Sequence, residues 1–214
     1  MTPERCACEK PATLCIGCDT RARTPIRREL LILQHPQEPD KELGTAAITA
    51  RLLAPATLRV GLSWPNLAAA LGRAEPRPTP GRWLVLYLGS GAKGPVPDAP
   101  LVVCDKNGLP LADQATALRE IDGIVALDGT WSQAKALWWR NAWLLKLRRG
   151  LLRPARPSRY GKLRKEPRRE CLSTLESVAA ALTALGEPPA VGDSLHAAFD
   201  DLLAKARGAS PTVA

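Results

Sequence analysis

Short apolar runs alternate with amphipathic stretches along this sequence, and that alternation predicts an α/β fold, a layered sheet with helices on both faces. Three observations carry the prediction. Apolar runs bounded by proline or glycine stand at Glu29–Pro36, Arg82–Leu88 and Gly123–Leu127. Helical spacing of apolar residues follows at Trp131–Asn141, Ser173–Leu185 and Asp193–Arg207. The length, 214 residues with 45 % hydrophobic and 24 % charged, suits one large domain or one domain with a small appendage.

In chain order, residues 1–28 are polar, basic and cysteine-rich, without helical or strand period, and read as a small appendage. The run from Glu29 to Pro36 is a buried strand stopped by its proline. A helix is expected over Thr45–Leu53, a strand over Thr57–Leu62, and a short helix over Asn66–Leu71 closed by Gly72. Arg73–Gly81 is proline-rich and must be a loop. Arg82–Leu88 is the clearest strand, followed by Leu101–Cys104 and an Asn107-Gly108 pair that suggests a tight hairpin turn. Gly123–Leu127 is a further strand. The helix over Trp131–Asn141 places Ala134, Leu137, Trp138 and Asn141 on one side. Two amphipathic helices complete a domain expected to span residues 29–207, with 208–214 as a tail.

Composition excludes several classes. No apolar run approaches the roughly 20 residues of a membrane helix, and the N-terminus lacks a signal peptide's apolar stretch. A cytoplasmic protein is therefore expected, with six cysteines held as thiols or metal ligands. The net charge of +9 is uneven. Lys146 to Arg169 holds eleven basic residues and one acid, Glu166, leaving 19 basic against 20 acidic groups elsewhere. Such a concentration favours a polyanion, because each neutralised phosphate releases condensed counterions. A solvated linker is the plainer alternative.

Cys6-x-Cys8 and Cys15-x-x-Cys18 place four thiols within thirteen residues. A tetrahedral zinc ion would remove the repulsion between such thiolates and fix a loop that has no core. Unligated thiols or an iron–sulfur cluster are the alternatives. Cys104 and Cys171 read as buried, inert thiols. Gly89-Ser-Gly91-Ala-Lys-Gly94 matches a dinucleotide-binding glycine pattern, but the prolines at 95, 97 and 100 forbid the helix that pattern requires. Tyr87, Ser90 and Gly91 still stand at a strand's carboxyl edge, where ligands bind.

Asp128-Gly129-Thr130-Trp131 is the most informative segment. Thr130 and Gln133 form a capping box and need do no more than start a helix. Asp128 precedes the cap, just past a buried strand, where an acid can act as general base or orient a nucleophile. Trp131 is either core or a stacking surface for a base or adenine ring. Ser173 and Glu176 form a second capping box, and that helix start can also hold a carboxylate or ribose. Of the two histidines, His196 reads as structural and His35 as placed to face the site.

Asp128-Gly-Thr-Trp131, Pro157-Ser158-Arg159-Tyr160 and Leu172-Ser-Thr-Leu-Glu176 together resemble the DTW-domain family of tRNA-uridine aminocarboxypropyltransferases. Leu33-Gln-His35-Pro36-Gln-Glu38, Leu86-Tyr87 and the cysteine cluster fit the same pattern, so the resemblance runs from about Cys6 to Leu185. Leu88 stands where the family usually has proline, and Gly44 where asparagine is common. The cysteines run C-x-C then C-x-x-C, the reverse of the usual order.

The resemblance implies transfer of the 3-amino-3-carboxypropyl group of S-adenosylmethionine to N3 of an unpaired tRNA uridine, releasing methylthioadenosine. It implies a SPOUT-like fold with a deep trefoil knot, three loops of which wrap the cofactor. Those loops would supply Tyr87, Ser90 and Gly91, then Leu127, Gly129, Thr130 and Trp131, then Leu172, Ser173 and Thr174, with Asp128 as the catalytic acid. Structural zinc would be held by Cys6, Cys8, Cys15 and Cys18. The tRNA would be gripped by Arg148, Arg149, Arg159, Tyr160, Lys162, Arg164 and Lys165. Two other readings stand beside it: a related transferase acting on ribosomal RNA, and a non-catalytic zinc-containing RNA-binding module. No membrane is implied, and the oligomeric state is left open.

Overall fold

The apolar run Leu30–Leu33 lies in the second strand from one edge of a six-stranded sheet. That strand, β1 (Thr24–Gln34), pairs in parallel with β2 (Leu53–Val60) on one side and β5 (Gly123–Asp128) on the other. Beyond β5 lie β3 (Trp83–Leu86), β6 (Arg148–Leu152) and the antiparallel edge strand β4 (Leu101–Cys104), in the order β2-β1-β5-β3-β6-β4. The computed structural model describes residues 8, 10–17, 20–39, 41–86, 95–161, 163 and 172–209.

Period-2 alternation splits the strand side chains between two cores. Leu30, Ile32, Leu84, Leu86, Ile124 and Ala126 face one layer of helices: α1 (Ala46–Leu52), α3 (Gln114–Arg119), α5 (Thr174–Ala184) and α6 (Pro189–Ala209). Leu31, Leu33, Trp83, Val85 and Val125 face the other, built from α2 (Leu67–Leu71), α4 (Trp131–Arg140) and a 3-10 turn at Ala142–Lys146. The predicted layered α/β class is therefore the observed one. Parallel strands covered on both faces read as continuous apolar runs, which is why β1 and β5 were legible.

The differences have local causes. Strand β1 begins at Thr24, inside the expected appendage, because Thr24 and Pro25 pair with Leu53 and Ala54. The segment before it is not separate from the domain: Cys8, Leu14 and Ile16 are buried in the same core as α5 and α6. Lys10 Nζ donates to the Lys41 carbonyl at 2.6 Å, and the Arg21 guanidinium pairs with Asp201 of α6. The Asn107-Gly108 turn is closed by Asp105, which accepts from the Asn107 and Leu109 backbone N–H groups at 2.8 and 2.9 Å. The chain past it makes one bridge, Cys104 to Pro110, rather than a full hairpin strand. Strand β6 lies within the basic run, where Arg148 and Arg149 mask a strand that only its neighbours β3 and β4 specify. Gly72 closes α2 as expected, with φ +76° and its N–H bonded to the Ala68 and Ala69 carbonyls.

No described helix is long and apolar enough to cross a membrane.

Candidate active site

Strands β1, β5 and β3 run parallel, and β1 and β5 end level at Gln34 and Asp128, so their carboxyl ends form one rim of the sheet. Strand β1 leads away to β2 on one side, while β5 leads through α4 to β6 on the other. Ligand crevices in open α/β sheets form where neighbouring strands part in this way. Asp128, the last residue of β5, stands at that point, opposite Gln34 of β1.

Asp128 is only 7 % exposed, and both its carboxylate oxygens are engaged. Oδ2 accepts from Gln34 Nε2 at 2.9 Å, and Oδ1 accepts from the Thr174 hydroxyl at the first turn of α5. These donors come from strands and helices far apart in sequence, so the tertiary fold sets the carboxylate's orientation. Each oxygen keeps a further lone pair for another donor. Gln34 is 2 % exposed, and its Oε1 has no hydrogen-bond partner among the described residues. A buried acceptor without a donor beside a fixed carboxylate is what a ligand N–H or O–H would satisfy.

The turn after Asp128 is tight. A Cβ at Gly129 would lie 2.8 Å from Gln133 Cβ and 3.4 Å from His35 Cβ. Glycine lets β5 pass directly into α4 beneath the β1 loop. Thr130 then caps α4: its Oγ1 accepts from Gln133 N at 3.4 Å, and its own N–H donates to Gln133 Oε1 at 2.6 Å. Gln133 Nε2 donates onward to Gln37 Oε1 at 3.1 Å. His35 N–H donates to the Asp128 carbonyl at 3.0 Å, and its Nδ1 accepts from Gln37 N at 3.3 Å. His35 thus borders the Asp128 turn through its backbone, with its Nδ1 engaged within its own loop. Trp131 is partly exposed on the first turn of α4.

The second capping box is also present, but its glutamate does more than cap. Glu176 Oε2 accepts from Ser173 N at 2.9 Å, Ser173 Oγ at 2.8 Å and Ser158 Oγ at 2.7 Å. Its Oε1 accepts from Arg159 N at 2.8 Å. One buried carboxylate therefore bolts the Pro157–Tyr160 loop to the start of α5. Thr45 adds a third attachment, its hydroxyl accepting from Leu175 N at 3.2 Å. Ser173 is consumed by this cap, while Thr174 is the residue that reaches Asp128.

Several expected site residues behave differently. Tyr160 is 1 % exposed, so its ring offers no open face on which a base can stack. Its hydroxyl donates to the Leu43 carbonyl at 2.5 Å and its ring packs edge-on against Phe199, centroids 5.0 Å apart. The fixed loop around Glu176 drives that ring inward. Arg148 is ion-paired with Glu120 at 2.7 Å, and Arg159 with Asp200 at 2.6 Å. Arg149 lies over the Trp138 ring, 5.5 Å from its centroid. Leu127 packs partly into the α4 core, and Leu172 is partly buried before the Ser173 cap. Tyr87, Ser90, Gly91, Lys162, Arg164, Lys165, Cys6, Cys18 and Cys171 lie outside the described residues. Cys104 is buried, and burial pushes its thiol up, as an inert thiol requires.

Gln34, Ser158 and Thr45 were not assigned roles at the site from sequence. Gln34 had a signal: a polar residue closing an apolar parallel strand at its carboxyl end, where a buried amide needs partners. Thr45 and Ser158 had none, because their partners are 130 and 18 residues away.

The DTW domain family matches residues 3–207 of the chain. Three similar proteins carry the name tRNA-uridine aminocarboxypropyltransferase 2. The Macaca fascicularis protein is 28 % identical over 86 % of this chain and 56 % of its own length. The Drosophila melanogaster protein is 28 % identical over 88 % and 68 %, and the Mus musculus protein 27 % over 90 % and 60 %. The chain thus spans a little over half to two thirds of the length of these relatives. No solved structure matches it.

Proposed function

The chain belongs to the DTW domain family, and from that premise we propose that it is a tRNA-uridine aminocarboxypropyltransferase, carrying the 3-amino-3-carboxypropyl group of S-adenosylmethionine to N3 of an unpaired uridine. The names of its relatives support the transferase class and tRNA as the substrate. The observation that carries the reading is the clamp on Asp128, held from both sides by Gln34 and Thr174 at the carboxyl rim. A residue needed only to start α4 would cap it, and Thr130 does that instead. This favours an enzyme over a simple RNA-binding module.

Uridine N3 carries a weakly acidic proton on the Watson–Crick edge, so the base must be unpaired or turned out to react. Asp128 takes that proton, and the two donors on its oxygens hold it in one orientation while it does so. Gln34 Oε1 accepts a donor of the bound substrates at the floor of the crevice. When bound, S-adenosylmethionine supplies an electrophilic methylene on a sulfonium, whose sulfur departs with the bonding electron pair as methylthioadenosine. By the family resemblance, Gly129, Thr130, Trp131, Leu172, Ser173 and Thr174 would border the place it occupies. A SPOUT-like knot and a cytoplasmic location belong to the same proposal, supported by the family resemblance.

Zinc fits the cysteine segment as far as that segment is described. Cys8 Sγ and Cys15 Sγ lie 4.0 Å apart, close to the ~3.8 Å between two thiolates on one tetrahedral zinc with ~2.3 Å bonds. Gly17 N–H donates to Cys15 Sγ at 3.4 Å. Among the described residues there is no cluster of three ligands, so Cys6 and Cys18 would complete the set.

The test is an assay with tRNA and S-adenosylmethionine labelled separately in the methyl and the aminocarboxypropyl carbons, read by nucleoside mass spectrometry. The aminocarboxypropyl label should appear on uridine. Methyl label on the RNA would replace the assignment with a methyltransferase. No transfer to any tRNA, with tRNA and S-adenosylmethionine both bound, would overturn it.

A further inference from the structure

We propose that the outer ridge of α4, centred on Trp139 and flanked by Lys135, Arg140 and Lys146, is the surface on which single-stranded RNA next to the target nucleotide docks. The proposal rests on the RNA-modifying reading and names the part of the chain that would hold that RNA. Trp139 is 74 % exposed, the most exposed large apolar side chain among the described residues. Its neighbour Trp138 is turned toward the sheet and covered by Arg149. Leu145, in the next turn of chain, is 42 % exposed. An open tryptophan of this kind usually marks a surface that meets something.

Charge decides what it meets. From Gly129 to Lys165 the chain carries eleven basic residues and no acid. Of the described cations in that stretch, Arg148, Arg153 and Arg159 are ion-paired with Glu120, Asp98 and Asp200. Lys135, Arg140 and Lys146 are exposed and form no ion pair among the described residues. Lys135 and Arg140 stand within four residues of Trp139 on α4, and with Lys146 and the exposed Arg156 they are cations left to neutralise a partner. An aromatic face set among unpaired cations fits a base stacked between phosphates, and fits an acidic protein helix less well.

Position links this ridge to the candidate site. Trp131, Lys135 and Trp139 stand at i, i+4 and i+8, one face of α4. Trp131 follows the Asp128 turn directly, and Trp139 lies about 12 Å further along the axis. That is the span of about three to four stacked nucleotides at ~3.4 Å each. A strand entering the crevice with its uridine at Asp128 would lay its neighbours along this ridge.

The experiment measures tRNA affinity of the full chain across a salt series. Trp139→Ala should weaken binding by about 5- to 150-fold, the range of one lost base stack, with an unchanged salt slope. Trp139→Phe should recover most of that loss. The triple variant Lys135→Gln, Arg140→Gln, Lys146→Gln should lower the slope of log affinity against log salt by about 2. All variants should melt as the parent does, since these side chains lie outside the core. Parent-like affinity and slope in both variants would overturn the inference while leaving the functional reading intact. Loss of a dimer in Trp139→Ala with tRNA affinity unchanged would assign the ridge to a second copy instead. A parent chain that binds no tRNA would count against the functional reading itself.

Discussion

At the scale of the residue, Asp128 separates chemistry from structure. Its backbone carbonyl accepts from His35 and its side chain from Gln34 and Thr174, so a substitution must preserve shape to be informative. Asp128→Asn keeps the size and one acceptor but cannot take the N3 proton. It should retain near-parent affinity for S-adenosylmethionine and tRNA, with turnover slower by at least ~100-fold in a single-turnover assay. A purely structural role predicts the opposite pair of results, a lower Tm and parent-like activity per folded molecule. Both are measured on one preparation.

Among the elements, the start of α5 depends on a single carboxylate. Glu176 accepts from Ser158, Ser173 and the Arg159 backbone while 6 % exposed. Glu176→Ala removes the acceptor and leaves those donors to find water in a buried place. The expected cost is about 1–3 kcal/mol, since buried donors lose their partner. Thermal denaturation should show Tm lower by about 2–12 °C for a chain of this size. Because α5 also carries Thr174, turnover should fall with it; a variant that melts lower yet turns over normally would detach the loop from the site.

For the whole molecule, the cysteine segment and α6 tie the ends of the chain together, and two outcomes follow. If Cys6, Cys8, Cys15 and Cys18 hold zinc, elemental analysis should give about one zinc per chain. A strong chelator should then lower Tm, because Cys8, Leu14 and Ile16 are part of the main core. Metal-free protein with an unchanged Tm would end that assignment. The second outcome concerns His196 on α6, whose ring is held below its ordinary value of 6.5, chiefly by burial and next by Arg159. The unfolded chain then binds the proton more readily than the folded one, so stability is complete above about pH 6.5 and falls as pH drops through the lowered value. His196→Gln should lose less stability than the parent between pH 7 and pH 5 in denaturant titrations.

What the amino-acid sequence determined is local. The apolar runs of β1 and β5 declared buried parallel strands because both faces of such strands are covered. The boxes at Thr130–Gln133 and Ser173–Glu176 declared two helix starts, because a cap needs only residues three apart. Asp128 was legible as a candidate acid because it ends a strand before its helix is capped. Tertiary structure decided everything that needs a partner distant in the chain. Gln34 and Thr174 meet Asp128 across 94 and 46 residues, Tyr160 turns inward to Leu43, and β6 forms in a basic run only because β3 and β4 receive it. The basic run showed that the chain is charged for a polyanion, yet not where. Ion pairing with Glu120, Asp98 and Asp200 occupies three of its arginines. Charge in sequence is additive, whereas charge at a surface is what remains after folding has brought opposite groups together.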